Sequence, residues 1–198
     1  DLSPAEQELY DSVTHYVTEE FNRAERLGGK HKNSVGFALT ILQRRLASSP
    51  EAIYQSLRRR RIRLESKLAE AKSVASGKVA YTDKWGIDAR DFDEDDYDSE
   101  EYEQMEDDVV DTASAAATAA ELDAEIAILR TLERKANDVR ISGEDRKWEE
   151  LSRLLQDDSN MFGMDGRREK LIIFTEHKDT LNYLAEKIGS LLGDRSAV

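Results

Sequence analysis

The residue types best placed for chemistry lie together near the C-terminal end: Thr175, Glu176, His177, Lys178 and Asp179. They follow a continuous apolar run at residues 171–174, which is typical of a strand buried on both faces. Ligands of open parallel sheets collect beyond the carboxyl ends of the strands, so this group is a candidate binding segment. The alternative is a polar loop in which Asp179 or Thr180 caps the next helix.

A basic block occupies residues 23–72, which contain 13 Lys and Arg and four Glu, giving a local net charge of +9. Basic side chains neutralise phosphates, and such a block therefore predicts contact with nucleic acid. The alternative is a solvated helix surface paired with acidic neighbours, because consecutive arginines spread around a helix. The candidates for nucleic-acid binding are Arg44, Arg45, Arg58, Arg59, Arg60 and Arg61.

An acidic block follows at residues 83–111, with 15 acidic residues against Lys84 and Arg90. Its balance of −13 equals the net charge of the whole chain, so the remaining residues are neutral overall. The composition predicts a mobile loop over about 83–111, in which a helix could form near Tyr102. Such a run could mimic nucleic acid, bind a basic partner, shield the basic block or act as a solvated tether. It lacks the glycine and terminal glutamate of a calcium loop, and no metal site is predicted.

The rest of the chain has the apolar periodicity of helices. Ser3-Pro4-Ala5-Glu6 is a capping box for the first helix, and a second helix is predicted from about Ser34. Ser49 is the predicted cap of a third helix over about 51–76, and Thr112 that of a fourth. The apolar stripe predicted for the third helix comprises Ile53, Tyr54, Leu57, Arg61 by its aliphatic stem, Leu64, Leu68 and Ala71.

We expect the third and fourth helices to form a long antiparallel hairpin joined by the acidic loop. A short helix containing Trp148 and a last helix ending at Gly193 complete the pattern. The predicted fold class is mainly α, a long helical hairpin or bundle with a single C-terminal βα unit.

Several classes of protein are excluded by composition. The chain has no cysteine, which rules out disulfides and thiolate metal sites. No apolar run approaches the roughly 20 residues of a membrane span, and no segment resembles a signal peptide. A cytoplasmic protein without a membrane partner is therefore expected.

Four segments together resemble superfamily-2 helicases, close to their SNF2-like branch. Residues 170–184 are similar to motif IV and its following helix, and 142–151 to the short helix that introduces the second motor lobe. Residues 2–10 look like the segment after the first lobe. Residues 37–50 are similar to a helical segment of bacterial SNF2-like proteins, some of which occur in phage-defence systems.

The resemblance implies a parent protein that is a nucleic-acid-dependent ATPase with two RecA-like lobes, ATP and Mg²⁺. Residues 1–157 would be the helical insertion between the lobes, and 168–198 the first βα unit of the second lobe. The chain lacks a phosphate-binding loop, an Asp-Glu pair after a strand and the late arginine motif. The fragment is therefore expected to hold no catalytic residue and not to hydrolyse ATP.

A lone parallel-sheet strand needs neighbours, so the pattern predicts a piece of a larger protein. The resemblance implies DNA and the remaining motor lobes of the parent as partners. In isolation the strand at 171–174 is expected to pair with a second copy or to be clamped by the helices. Two other hypotheses remain: a helical scaffold that binds proteins, and an acidic regulator that mimics DNA.

Overall fold

The computed structural model describes residues 2–26, 29–73, 99–157, 161–164, 166 and 169–194. Within these ranges the chain is mainly helical, as predicted, and contains no strand. None of the helices in this part of the chain is long and apolar enough to cross a membrane. The helices are α1 (Pro4–Glu25), α2 (Gly29–Ser48), α3 (Pro50–Ser73), α4 (Ser99–Thr112), α5 (Ala119–Ser142), α6 (Arg146–Asp157) and α7 (Lys178–Leu192).

Several predicted helix ends are confirmed. The Ser3 hydroxyl accepts from the Glu6 amide at 3.2 Å, and the Glu6 carboxylate accepts from the Ser3 amide at 2.7 Å. The Ser49 hydroxyl accepts from an amide in the first turn of α3. Gly193, the predicted end of the last helix, ends α7 with positive φ, which glycine adopts without steric cost, and Gly143 ends α5 in the same conformation.

The predicted start of the fourth long helix is wrong. Thr112 is the last residue of α4, and α5 begins only at Ala119. Thr118 and Glu121 form a capping box at that point, which satisfies two amides that would otherwise lack partners. The alanine-rich stretch before it is therefore a connector. The second helix likewise begins at Gly29, earlier than predicted.

The antiparallel hairpin is confirmed, and it is formed by α3 and α5. Glu51 near the start of α3 pairs with Arg140 near the end of α5 at 3.2 Å. Further along α3, Glu65 pairs with Arg130 at 2.7 Å. The apolar stripes of both helices are buried against each other, and α1 and α2 cover them. Buried members are Ile53, Leu57, Leu64, Leu122, Ile126, Leu129 and Ala136.

A smaller apolar cluster joins α6 to α7. Leu155 and Ile188 are buried there, and Trp148 packs against them. Asp145 ties the two helices together, because it accepts from the Trp148 amide at 3.0 Å and from the Tyr183 hydroxyl at 2.8 Å.

Two predicted segments differ from expectation. Residues 171–174 form no strand, and the side chains of Ile172 and Phe174 are 74% and 91% exposed. A parallel strand needs a neighbour on each side, and the described part of the chain supplies none. The second segment is the acidic loop: residues 99–111 belong to α4, which confirms the helix expected near Tyr102 but extends it to the end of the predicted loop, whereas 83–98 lie outside the described residues.

The fully buried guanidinium group of Arg60 connects the helices at the centre of the bundle. Arg60 of α3 donates to the Glu125 carboxylate of α5 at 2.8 Å and to the Tyr16 hydroxyl of α1 at 2.9 Å. Tyr16 donates to the same Glu125 oxygen at 2.8 Å, and Ser114 donates to the other at 2.5 Å. Arg60 also donates to the carbonyl of Val110 in α4. Four helices therefore meet at one guanidinium.

The predicted place of Arg61 in the apolar stripe is wrong, because Arg60 occupies it. Leu57, Arg60 and Leu64 are spaced three and four residues apart and so continue the stripe. Each residue of an α-helix is rotated by about 100° from the one before it, so the side chain of Arg61 points away from the stripe. Burial alone would lower the pKa of Arg60, but Tyr16 and Glu125 raise it, so the group stays charged. Arg61 lies at the edge of the hairpin, paired with Glu133 and Glu65.

The variant Glu125→Gln should be destabilised by about 3–5 kcal/mol, because it removes the carboxylate that is hydrogen-bonded to the buried charge of Arg60. Urea unfolding monitored by circular dichroism measures this. Asp123→Asn removes an exposed carboxylate from the same helix and should change the free energy of unfolding by less than about 0.5 kcal/mol. Equal effects of the two substitutions would contradict the central role of the pair.

Candidate functional site

Two groups of residues predicted separately from the sequence meet at one place in the fold. Arg44 and Arg45 near the end of α2, and Arg59 of α3, face the start of α7. The acidic helix α4 packs on α2 and α3 at the same point. We call this the arginine junction, and it consists of Arg44, Arg45, Arg59, Glu103, Glu106, Asp107 and Asp111 with residues 176–180.

Arg45 is the buried centre of the junction, with 1% of its surface exposed. Its guanidinium lies 2.5 Å from the Asp107 carboxylate and donates to the Ser56 hydroxyl at 2.7 Å. An unpaired charge in such a position would be strongly destabilising, because burial removes its hydration. Asp107 of α4 therefore makes the burial of Arg45 possible.

Arg44 and Arg59 form the outer part of the junction, and about a third of each side chain is exposed. Arg44 pairs with Glu106 at 3.1 Å and also with Glu176. Arg59 shares Asp107 with Arg45 at 3.0 Å. Arg59 also pairs with Asp179 in the first turn of α7. Arg44 and Arg59 therefore each connect α4 with α7 or with the residues just before it.

Two carboxyl groups of α4, those of Glu106 and Asp111, sit in an environment that disfavours their charged form. Burial raises the pKa of Glu106 even though Arg44 and Arg45 oppose the shift. Burial, together with the like charge of Asp107, raises the pKa of Asp111 to about 6, although Arg59 opposes it. These acids are held close together because the arginines compensate them.

As an isolated helix α4 would have little support. Glu103, Asp107 and Asp111 are spaced four residues apart, and like charges at that spacing repel. Asp108 and Asp111 lie at the negative end of the helix dipole, and the last turn has no basic residue. The helix is therefore stabilised mainly by its contacts with α2 and α3, including buried Val109 and Val110.

The start of α7 is anchored by other helices. The Glu103 carboxylate of α4 accepts from the Lys178 amide at 2.8 Å, while the residue in the cap position, His177, makes no side-chain cap bond. Asp179 binds Arg59 at 3.1 Å. Thr180 is buried within 2.7 and 2.8 Å of the Ser48 and Ser49 hydroxyls. Asp179 and Thr180, predicted as possible caps, thus make tertiary contacts instead.

His177 is buried at the junction with 2% of its surface exposed. Neither ring nitrogen has a hydrogen-bond partner among the described residues, and the nearest acid, Glu176, lies 3.7 Å from Nε2. Burial, with the positive charges of Arg45 and Arg44, lowers the pKa of His177 to about 4. The imidazole is therefore neutral at physiological pH.

The remaining predicted residues lie elsewhere or at the surface. Arg60 belongs to the buried centre of the bundle and Arg61 to the hairpin edge. Arg58 is exposed on α3. Thr175 is half-buried, and the side chain of Lys178 is exposed.

Sequence reasoning missed Glu103, Glu106, Asp107 and Asp111 as members of the site. The available signal was the opposite sign of two charge blocks of similar size, which favours their pairing within the molecule.

Comparisons with known proteins found no matching family model, no similar curated protein and no similar solved structure. In the described part of the chain, no group of three or more acidic or histidine side chains is arranged to hold a metal ion. The contacts that define the junction pair guanidinium groups with carboxylates.

His177 should make folding sensitive to acid. Its pKa is about 4 in the folded chain and about 6.5 when unfolded, so its contribution is complete above pH 6.5 and declines as the pH falls towards 4. Between pH 7 and pH 5 the wild type should lose about 1–2 kcal/mol relative to His177→Gln, measured by urea unfolding at each pH. Parallel pH profiles, or an imidazole that titrates near 6.5 by NMR, would contradict this.

Proposed function

We propose that this chain is the helical connector and the start of the second motor lobe of an SNF2-like, nucleic-acid-dependent ATPase. The observation that carries the proposal is the arginine junction. There, Glu176 and Asp179, from the segment that resembles motif IV, pair with Arg44 of α2 and Arg59 of α3. A motor that couples nucleic acid to lobe movement needs such a mechanical link between a basic surface and a lobe.

The exposed segment 171–174 supports the same proposal. It is apolar, precedes the anchored α7 and leaves Ile172 and Phe174 open to solvent. We propose that it becomes the first strand of a RecA-like sheet once neighbouring strands of the parent protein pair with it. ATP and Mg²⁺ would bind to other parts of that protein, since the chain has none of the motifs that hold them.

A helical scaffold for protein partners is the second candidate, and the same exposed segment favours it. Phe174 and Leu181 present apolar surface that another protein, or a second copy of the chain, could cover. An acidic regulator that mimics DNA towards another, basic protein has less support, because Glu106 and Asp107 point towards arginines of this chain.

The product of the complete reading frame provides the test. It should contain a phosphate-binding loop before this region and hydrolyse ATP faster when duplex DNA is added, while the 198-residue chain alone should not hydrolyse ATP. Asp179→Asn, which removes a contact between α7 and Arg59, should lower the ratio of the DNA-stimulated rate to the basal rate, because α7 then no longer responds to the occupancy of Arg59.

The matched control is Asp123→Asn, which removes an exposed carboxylate at the far end of the hairpin and should leave the stimulated rate unchanged. A reading frame without a nucleotide-binding loop, or an ATPase indifferent to nucleic acid, would contradict the motor proposal and favour the scaffold.

A further inference from the structure

We propose that α4 is an internal substitute for nucleic acid: its carboxylates occupy the arginines that bind phosphates once α4 is displaced. The proposal deepens the proposed function and rests on it. It assigns the nucleic-acid contact to Arg44, Arg45 and Arg59, and it assigns the regulation of that contact to α4.

The geometry of the junction suits an exchange of anions. Asp107 bridges Arg45 at 2.5 Å and Arg59 at 3.0 Å, as a phosphate group can bridge two guanidinium groups. The Glu106 carboxylate pairs with the Arg44 guanidinium at 3.1 Å. All three cations are arginines, whose planar array of donors fits phosphate oxygens as well as carboxylates.

An incoming polyanion would replace the carboxylate–arginine contacts of α4, which leaves the buried side chains of Val109 and Val110 as its main remaining attachment. Its like-charge spacing and its unfavourable dipole give it little stability of its own. Burial also raises the pKa values of Glu106 and Asp111, so these carboxyls would gain hydration on leaving the junction.

The junction has an open side from which exchange can begin. Arg44 and Arg59 are each about one-third exposed, whereas the side chain of Arg45 is only 2% exposed. A phosphate backbone can therefore engage Arg44 and Arg59 first, and Arg45 becomes accessible only after Asp107 has moved away.

The exchange would also be transmitted to α7. Glu103 of α4 accepts from the Lys178 amide at 2.8 Å, and Arg59 connects Asp107 with Asp179. When α4 leaves, α7 loses its N-terminal acceptor and Arg59 is redirected to phosphate. Binding of nucleic acid thereby frees Lys178 and Asp179 from α4 and Arg59, while Thr180 keeps its contacts with Ser48 and Ser49.

The first test measures binding of a fluorescein-labelled 20-bp duplex DNA by anisotropy at low salt. The double variant Glu106→Gln/Asp107→Asn should bind at least about tenfold more tightly than the wild type, since the competing charges are gone. The slope of log affinity against log salt concentration should be steeper by about 2–3 than that of the wild type. Each newly contacted phosphate is expected to add about 0.9 to this slope.

The matched control is Asp123→Asn/Asp138→Asn, which changes the net charge equally on the exposed side of α5. It should bind like the wild type. Equal tightening in both double variants would overturn the proposal, because a general charge effect would explain it. Adding Arg44→Gln/Arg59→Gln to the α4 variant should abolish the gain, and a gain that persists would also overturn the proposal.

Hydrogen exchange of the unmodified chain gives a second test that requires no variant to fold. Saturating duplex DNA should lower protection of the amides of α4 and of Lys178 at least about tenfold, while the α3–α5 hairpin stays protected. Unchanged or increased protection of α4 would overturn the proposal. So would displacement of α4 by polyglutamate but not by DNA, which would indicate an acidic protein as the partner.

Failure of this proposal can be distinguished from failure of the proposed function. If the complete protein is a DNA-stimulated ATPase but α4 is neither displaced nor inhibitory, only the role of α4 is overturned. If the chain exchanges α4 for DNA but the complete protein hydrolyses no ATP, the motor proposal fails and the exchange stands.

Discussion

The pairing of buried guanidinium groups with carboxylates is the interaction on which the rest of the fold depends. Arg60 and Arg45 are almost completely removed from solvent, and each has an acidic partner within 3 Å. Without those partners the charges could not be buried. The need to compensate them fixes the relative positions of α1, α3 and α5 at one point, and of α2 and α4 at the other.

The acidic helix owes its position to the same constraint. Its local sequence gives weak support to a helix, but Glu106 and Asp107 are matched to arginines on two other helices. Because Glu103 also caps α7, the helix links the basic block to the segment that resembles motif IV. The electrostatics of the junction thus provide a route by which an anion could act on α7, and the motor hypothesis uses that route.

Features set by local sequence could be predicted. The Ser3 capping box, the Ser49 cap and the glycines that end α5 and α7 depend on residues a few positions apart. The α3–α5 hairpin follows from two apolar stripes of similar length. Features that depend on partners distant in the sequence were harder to predict. The position of α4 depends on arginines more than 40 residues away. The burial of Arg60 in place of Arg61 depends on Glu125 and Tyr16. The strand at 171–174 requires neighbours, and its apolar sequence alone did not make one.

A double-mutant cycle on Arg45 and Asp107 tests the central claim most directly. Unfolding free energies of the wild type, Arg45→Gln, Asp107→Asn and the double variant give the coupling between the two side chains. We predict a coupling of at least about 1.5 kcal/mol, whereas the exposed pair Lys72 and Asp123, 3.8 Å apart, should give less than about 0.5 kcal/mol. Single effects at Arg45 and Asp107 that simply add would contradict the view that charge compensation holds α4 in place.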